Sequence, residues 1–310
     1  MPEFSSARLN GDMVAHDPST ILRCGDRYWI FHTSRGCRCK FSTDLMHWER
    51  GPRTFEEPLD WWKEAVPGFD GIHLWAPDVI HLDQRYLLYY SVSRFGKRTS
   101  AIGLAVNATL NPEDPAYGWR DEGPVIITTE DNDYNAIDPA LFYEDGRLWM
   151  IFGSYWSGIK LVELDPQTGK RLDPPGPVIA LAAAPERNNA IEAPYLYQRG
   201  EYYYLFVNWD QCCRGVDSTY NIRVGRSREL AGPYVDRDGR EMLKNGGTLV
   251  IESQGRYIGP GHAAILKDGE QEWFSCHYYD PDATPPGRPA LLVMPLSWDD
   301  AGWPILATPQ

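Results

Sequence analysis

The chain has 310 residues, 43% of them apolar, with 25 prolines, 28 glycines and a net charge of −13. No run of Lys or Arg exceeds two, so no cationic stripe follows a phosphate backbone and nucleic acid is excluded as a partner. No apolar stretch nears the ~20 residues that span a bilayer, which excludes membrane insertion.

The segment MPEFSSARLNGD has neither the charged start nor the apolar stretch of a signal peptide. In chain order, the first predicted unit begins at His16 with HDPSTILRCGDRYWIFHT. Asp17 is expected where its first strand starts. Cys37 to Lys40 continues the blade, with Cys37 and Cys39 on one side of a strand. Residues 52–74 form a longer excursion, in which Trp61 and Trp62 mark a short helical turn. The second unit, WAPDVIHLDQRYLLYYSVS, opens at Trp75. Strand alternation keeps Asp78 on the side of Ala76, where it can orient a neighbour or face a ligand.

The third unit, IDPALFYEDGRLWMIFGSY, opens at Ile137 and is the clearest hairpin. Its acidic-glycine turn supplies the positive φ values that a tight turn requires. Gly153 to Gly158 follows as a polar, aromatic loop bracketed by glycines, which suggests a close backbone approach. The fourth unit, IEAPYLYQRGEYYYLFVNW, places Glu192 one register position earlier than the aspartates. Residues 211–227 after it read as a strand pair joined by a hydroxyl-rich turn from Asp217 to Tyr220. The fifth unit, GHAAILKDGEQEWFSCHYY, substitutes His262 for the acid.

These openings recur roughly every 60 residues, a period typical of propellers and arrays. Five such units with few helices predict an all-β, five-bladed β-propeller spanning residues 1–310 as a single domain. How the ring closes is not legible. The six cysteines lack CxxC spacing, so buried thiols are expected rather than a zinc site. Cys212 and Cys213 are adjacent, and a bond between them is open.

In a propeller the innermost strands line the axis, so Asp17, Asp138 and Glu192 converge at one mouth. Two uses fit. Calcium wants six to eight oxygens. Glycoside hydrolysis wants one carboxyl to protonate a leaving oxygen and another to activate water or attack the sugar. Repulsion and burial would keep one of the acids protonated near neutral pH. Aromatic residues at the mouth favour a sugar, and Trp75, Asn135, Ser154 and Trp156 are the candidate contacts.

The pieces HDPS, LWAPD, NAIDPALF, GSYWSGI, NAIEAPY, CCRG with DSTY, and GPGH occur in one order along nearly the whole chain. Together they resemble the endo-α-1,5-L-arabinanases of glycoside hydrolase family 43. That resemblance implies inverting hydrolysis of arabinan, the neutral side chain of pectin. It makes Asp17 the general base, Glu192 the general acid and Asp138 the carboxylate that tunes and orients the acid. His262 matches an axial histidine near a metal, usually calcium, held largely through waters. Cys37, Cys39 and Ala263 depart from the family's usual residues without touching the acids. Exo-action, a related furanoside or xyloside substrate, and a non-catalytic sugar-binding propeller are the alternatives. The expected partner is an arabinan or arabino-oligosaccharide, bound by a monomer. A polymeric substrate favours an extracellular site of action. The missing signal favours the cytoplasm and imported oligosaccharides.

Overall fold

The computed structural model describes residues 9–307. The start of the segment read for a leader, residues 1–8, lies outside the described residues. Five antiparallel sheets follow one another along the chain. The first contains Leu22–Cys24, Arg27–Phe31, Arg38–Ser42 and His47–Arg53, with Asn10–Gly11 added in parallel at the outer edge. The second contains His73–Leu82, Arg85–Val92, Ser100–Asn107 and Arg120–Thr128, with Ser34–Arg35 from the first unit paired to its inner strand. The third contains Ala140–Glu144, Arg147–Phe152, Ile159–Leu164 and Ile179–Ala182. The fourth contains Ile191–Arg199, Tyr202–Trp209, Asn221–Ser227 and Thr248–Ile251. The fifth contains Ile258–Asp268, Gln271–Asp280, Arg288–Trp298 and Pro304–Leu306. The architecture is the predicted five-bladed β-propeller, and the helical turn at Trp61 and Trp62 is the helix Asp60–Ala65. No helix among the described residues is long and apolar enough to cross a membrane.

The apolar core is divided among the seams between blades. Along Arg147–Phe152, Leu148, Met150 and Phe152 pack toward the second blade, while Trp149 and Ile151 pack toward the fourth. Period-two alternation therefore buries both faces, which is why these second strands read as unbroken apolar or aromatic runs. The fourth blade repeats this. Leu205, Val207 and Trp209 face the third blade, and Tyr204 and Phe206 face the fifth. Cys37 and Cys39 lie together in the seam between blades one and two, with Trp29 and Tyr90. Ring closure uses a seam of the same kind. Ala15, Ile21, Ile30 and Trp48 pack on Leu266, Leu291 and Val293, and Leu291 N–H donates to the Met13 carbonyl at 2.7 Å.

Two expectations need correction. The first strands of blades one and three begin at Leu22 and Ala140, so Asp17 and Asp138 precede them rather than starting them. The following prolines, Pro18 and Pro139, cannot donate to a ladder. The 211–227 segment holds one strand, Asn221–Ser227, after a short 3₁₀ turn at Gly215–Asp217, and is not a strand pair. Its Gly, Asp and Ser residues instead satisfy backbone groups locally, as where Ser218 Oγ accepts from Arg214 N–H at 3.0 Å.

One local conformation repeats around the axis. Asp17, Ala76, Asp138, Ala193 and His262 occupy the same register of successive blades. All five have left-handed backbones, with φ of 48°, 37°, 58°, 51° and 62°. Non-glycine residues rarely adopt that region. Each is held there by its own N–H. Ala76 donates to Thr33 Oγ1 at 2.7 Å, Asp138 to Ser91 Oγ at 3.1 Å and His262 to Asn208 Oδ1 at 2.9 Å. Asp17 closes the circle by donating to His277 Nδ1 at 3.0 Å. Thr33, Ser91, Asn208 and His277 all lie opposite the blade opening, on or just past the second strand of the preceding blade. The third blade has Gly153 at that position, with no side chain to accept. There the Ala193 N–H donates to Asp138 Oδ2 at 3.1 Å instead.

Candidate active site

The ring of left-handed residues opens into a cleft of about 1350 Å³ whose lining includes Asp17, Asp138 and Glu192. The turn turns Asp17 and Asp138 inward. In the fourth blade Ala193 takes the turn, so the longer Glu192 reaches the cleft from the residue before it. All three predicted acids therefore meet in one site.

Their surroundings differ. Asp17 Oδ2 accepts from Thr33 Oγ1 at 2.6 Å and from His16 Nδ1 at 2.7 Å. Oδ1 lies 3.6 Å from Nδ1 of both His262 and His277. Burial would push this carboxyl up, but the His16, His262 and His277 imidazoles outweigh it and hold Asp17 well below the usual carboxylate range. His16 is held above its ordinary value: burial pulls it down, and the Asp17 and Glu192 carboxylates more than compensate. His277 goes the other way, pushed well down by burial and by His16. Since Asp17 N–H donates to its Nδ1, the His277 proton sits on Nε2, which is buried and has no hydrogen-bond partner among the described residues.

Asp138 is pushed well up, first by burial and then by the charges of Glu192 and Asp17. Glu192 is raised to about 7 by burial, which outweighs the lowering effect of the Ser154 hydrogen bond. Ser154 Oγ donates to Glu192 Oε2 at 2.6 Å, and the Tyr220 hydroxyl bonds Oε1. Near neutral pH the site thus combines an ionised Asp17 with a protonated Asp138 and with Glu192 near its midpoint, where it still has a proton to give.

Trp75, Asn135, Ser154 and Trp156 all line the cleft. Ser154 is tied to Glu192, and Asn135 is buried with its Oδ1 unpartnered among the described residues. Trp156 is 41% exposed. Arg98 stacks on one of its faces at 4.9 Å, and Asn189 Nδ2 holds its carbonyl at 2.7 Å. Asp78 does not line the cleft. Its Oδ1 accepts from Thr20 N–H and its Oδ2 from Leu141 N–H, which ties three blades together. The segments 52–74 and 182–190 contribute only His73 and Asn188 to the lining. The segments 93–97 and 211–215 contribute more.

Sequence reasoning passed over His16, Thr33, Tyr220 and His277. Thr33 and His277 carry a usable signal, a polar residue recurring opposite four of the five blade openings. His16, Asp17 and His277 also form a group whose ligand atoms lie within 4.8 Å of one another. His262 lies beside this group rather than in it.

The profile of the glycosyl hydrolases family 43 matches residues 12–304. The extracellular endo-α-(1→5)-L-arabinanase 1 of Bacillus subtilis is 43% identical over 296 residues, covering 94% of this chain and 87% of that protein. The extracellular exo-α-(1→5)-L-arabinofuranosidase of Cellvibrio japonicus is 40% identical over 299 residues, covering 93% and 85%. The solved structure of the Cellvibrio cellulosa α-L-arabinanase complexed with arabinohexaose superposes with a TM-score of 0.88 at 39% identity, covering 95% of each chain. With a matching profile, close relatives and a shared propeller, the chain belongs to glycosyl hydrolase family 43.

Proposed function

We propose that this protein is an arabinanase that cleaves internal α-1,5 bonds of arabinan with inversion. The observation that carries the chemistry is the meeting of three carboxyls in one cleft, in surroundings that push Asp17 down and Asp138 and Glu192 up. Asp17, held ionised, takes a proton from the attacking water. Glu192, raised to about 7, gives its proton to the leaving oxygen. General acid–base work needs this pairing. Asp138 accepts from the N–H of Ala193, directly after Glu192, and so orients the acid, while burial first and then the Asp17 charge hold the Glu192 carboxyl up.

The substrate class comes from the relatives, whose names carry both endo and exo action on α-1,5-linked arabinofuranosides. Endo-action is favoured by the cleft, whose volume of about 1350 Å³ exceeds what one sugar fills. Two relatives named extracellular support secretion.

Calcium is part of the same reading. The protein donors around the axis are mostly imidazoles with one carboxylate, too few oxygens for a cage around a hard cation. They fit an ion beside His262 whose remaining ligands are waters. Such an ion would add positive charge near Asp17.

The test is linear arabinan with wild type and Glu192→Ala, with products separated by size over time and the anomer of the first product read by NMR. Early intermediate-length products of inverted configuration, absent with the variant, are expected. One short product from the first minute would turn the reading to exo-action. Retained configuration would overturn inversion. Binding without turnover would leave a sugar-binding propeller.

A further inference from the structure

The 211–215 segment brings an unusual surface to the cleft. Cys212 and Cys213 are joined by a disulfide between neighbours, and both line the cleft. Cys213 is exposed and Cys212 half-buried. The remaining four cysteines are thiols, three of them buried. This is therefore the sulfur surface that a ligand in the cleft would meet.

The backbone around it is already engaged. Cys213 N–H donates to the Tyr279 hydroxyl at 2.7 Å, and Thr219 N–H donates to the Gln211 carbonyl at 2.9 Å. Cys213 has a left-handed backbone, with φ of 65°, in a segment otherwise fixed by these bonds. What remains toward the cleft is sulfur, which is polarisable and a weak acceptor at most. Such a surface has little to offer a hydroxyl. It suits the C–H face of a sugar ring, as an aromatic face does.

Its place in the cleft is also defined. Cys213 Sγ lies 3.9 Å from His16 Nε2, and His16 Nδ1 bonds Asp17. The disulfide therefore borders the Asp17 end of the site without touching the carboxyl. A chain crossing the cleft would lay a neighbouring unit there, with the reacting bond at the acids.

We propose that the Cys212–Cys213 disulfide is a substrate-contact surface that packs against the C–H face of a furanose unit flanking the cleavage point. The proposal rests on the reading of the cleft as a site for an arabinan chain. It makes binding of longer oligosaccharides depend on the disulfide, while the bond takes no part in the reaction.

The experiment compares oxidised enzyme with enzyme treated with a water-soluble phosphine. That reagent and one water convert the disulfide to two thiols and the phosphine to its oxide. The double variant Cys212→Ser/Cys213→Ser is measured in parallel, with circular dichroism to confirm folding. kcat and KM are read on linear arabino-oligosaccharides of increasing length and on an aryl arabinofuranoside that occupies only the reacting unit. The expected result is a rise in KM of about threefold to tenfold on the longer chains. kcat, and turnover of the aryl glycoside, should change little. Unchanged KM at every length would overturn the proposal. So would an equal loss of kcat on all substrates, which would place the effect at Tyr279 and His16 instead. If phosphine treatment of the native protein releases no thiols until it is unfolded, the bond does not face the cleft and the proposal fails. If oxidised enzyme cleaves no arabinan or oligosaccharide, the functional reading fails. Calorimetry of arabinohexaose binding to oxidised and reduced protein then decides the disulfide's role by itself.

Discussion

Ser154→Ala removes one hydrogen bond and should move the pH at which the enzyme switches off. The Ser154 hydroxyl donates at 2.6 Å to Glu192 Oε2, and a donated bond favours the carboxylate over the acid. Removing it raises the Glu192 pKa further above about 7. A hydrogen bond to a charged group contributes about 1.5–3 kcal/mol, and one pKa unit corresponds to about 1.4 kcal/mol. Tyr220 remains on the other oxygen, so the lower end applies, about one unit. Glu192 must be protonated to act, so activity falls as pH rises through its pKa, and the alkaline limb of kcat/KM should move upward. The assay is the pH dependence of kcat/KM on a linear arabino-oligosaccharide for wild type and variant. A limb that stays in place or moves down would refute the assignment of Glu192 as the acid titrating there.

Glu192→Gln keeps an acceptor for Ser154 and removes the proton donor. It should cost about 10²–10⁴ in turnover of arabinan, much less on an aryl arabinofuranoside whose leaving group needs no proton, as measured with both substrates. Thr33→Val strips the acceptor from the Ala76 N–H and the donor from Asp17. A buried N–H left unpaired costs about 1–3 kcal/mol, which urea unfolding would read. The Asp17 pKa should rise with it, moving the acid limb of the rate profile upward. Glu192 itself couples stability to pH. Its value rises from 4.5 unfolded to about 7 folded, so its contribution is fully present below pH 4.5 and is lost as pH rises through 7. Urea midpoints should fall across that window in wild type, and the fall should shrink in Glu192→Gln.

The blade count and the three acids were legible because the chain repeats a spacing. A polar opening, a short strand, a glycine or acidic turn and an aromatic strand leave the same trace wherever both strand faces are buried. The shift of Glu192 by one position was equally legible, since alanine holds the turn in its place. What could not be read were contacts between residues far apart in sequence. Nothing local marks Tyr220 as the partner of Glu192, or His16 as the link from Asp17 to Tyr279. Asp78 was left with two uses because alternation gave its side but not its depth. It is 3% exposed and bonded to backbone on two neighbouring blades. Ring closure was hidden because its apolar residues, such as Ile21 and Leu291, look like any other strand residues.

The glycine at position 153 changes how the three acids should be weighed when descendants of this fold lose their activity. At the other seams, a side chain from the preceding blade holds the left-handed turn. At the seam between blades three and four, Asp138 itself does so. Selection for folding alone would therefore retain an acceptor there after catalysis had ceased. Among the described residues, the Glu192 side chain bonds only other side chains, Ser154 and Tyr220, and anchors no backbone group. Drift should erase it first. A propeller that still carries Asp138 has told us that it folds; one that still carries Glu192 has told us that it is in use.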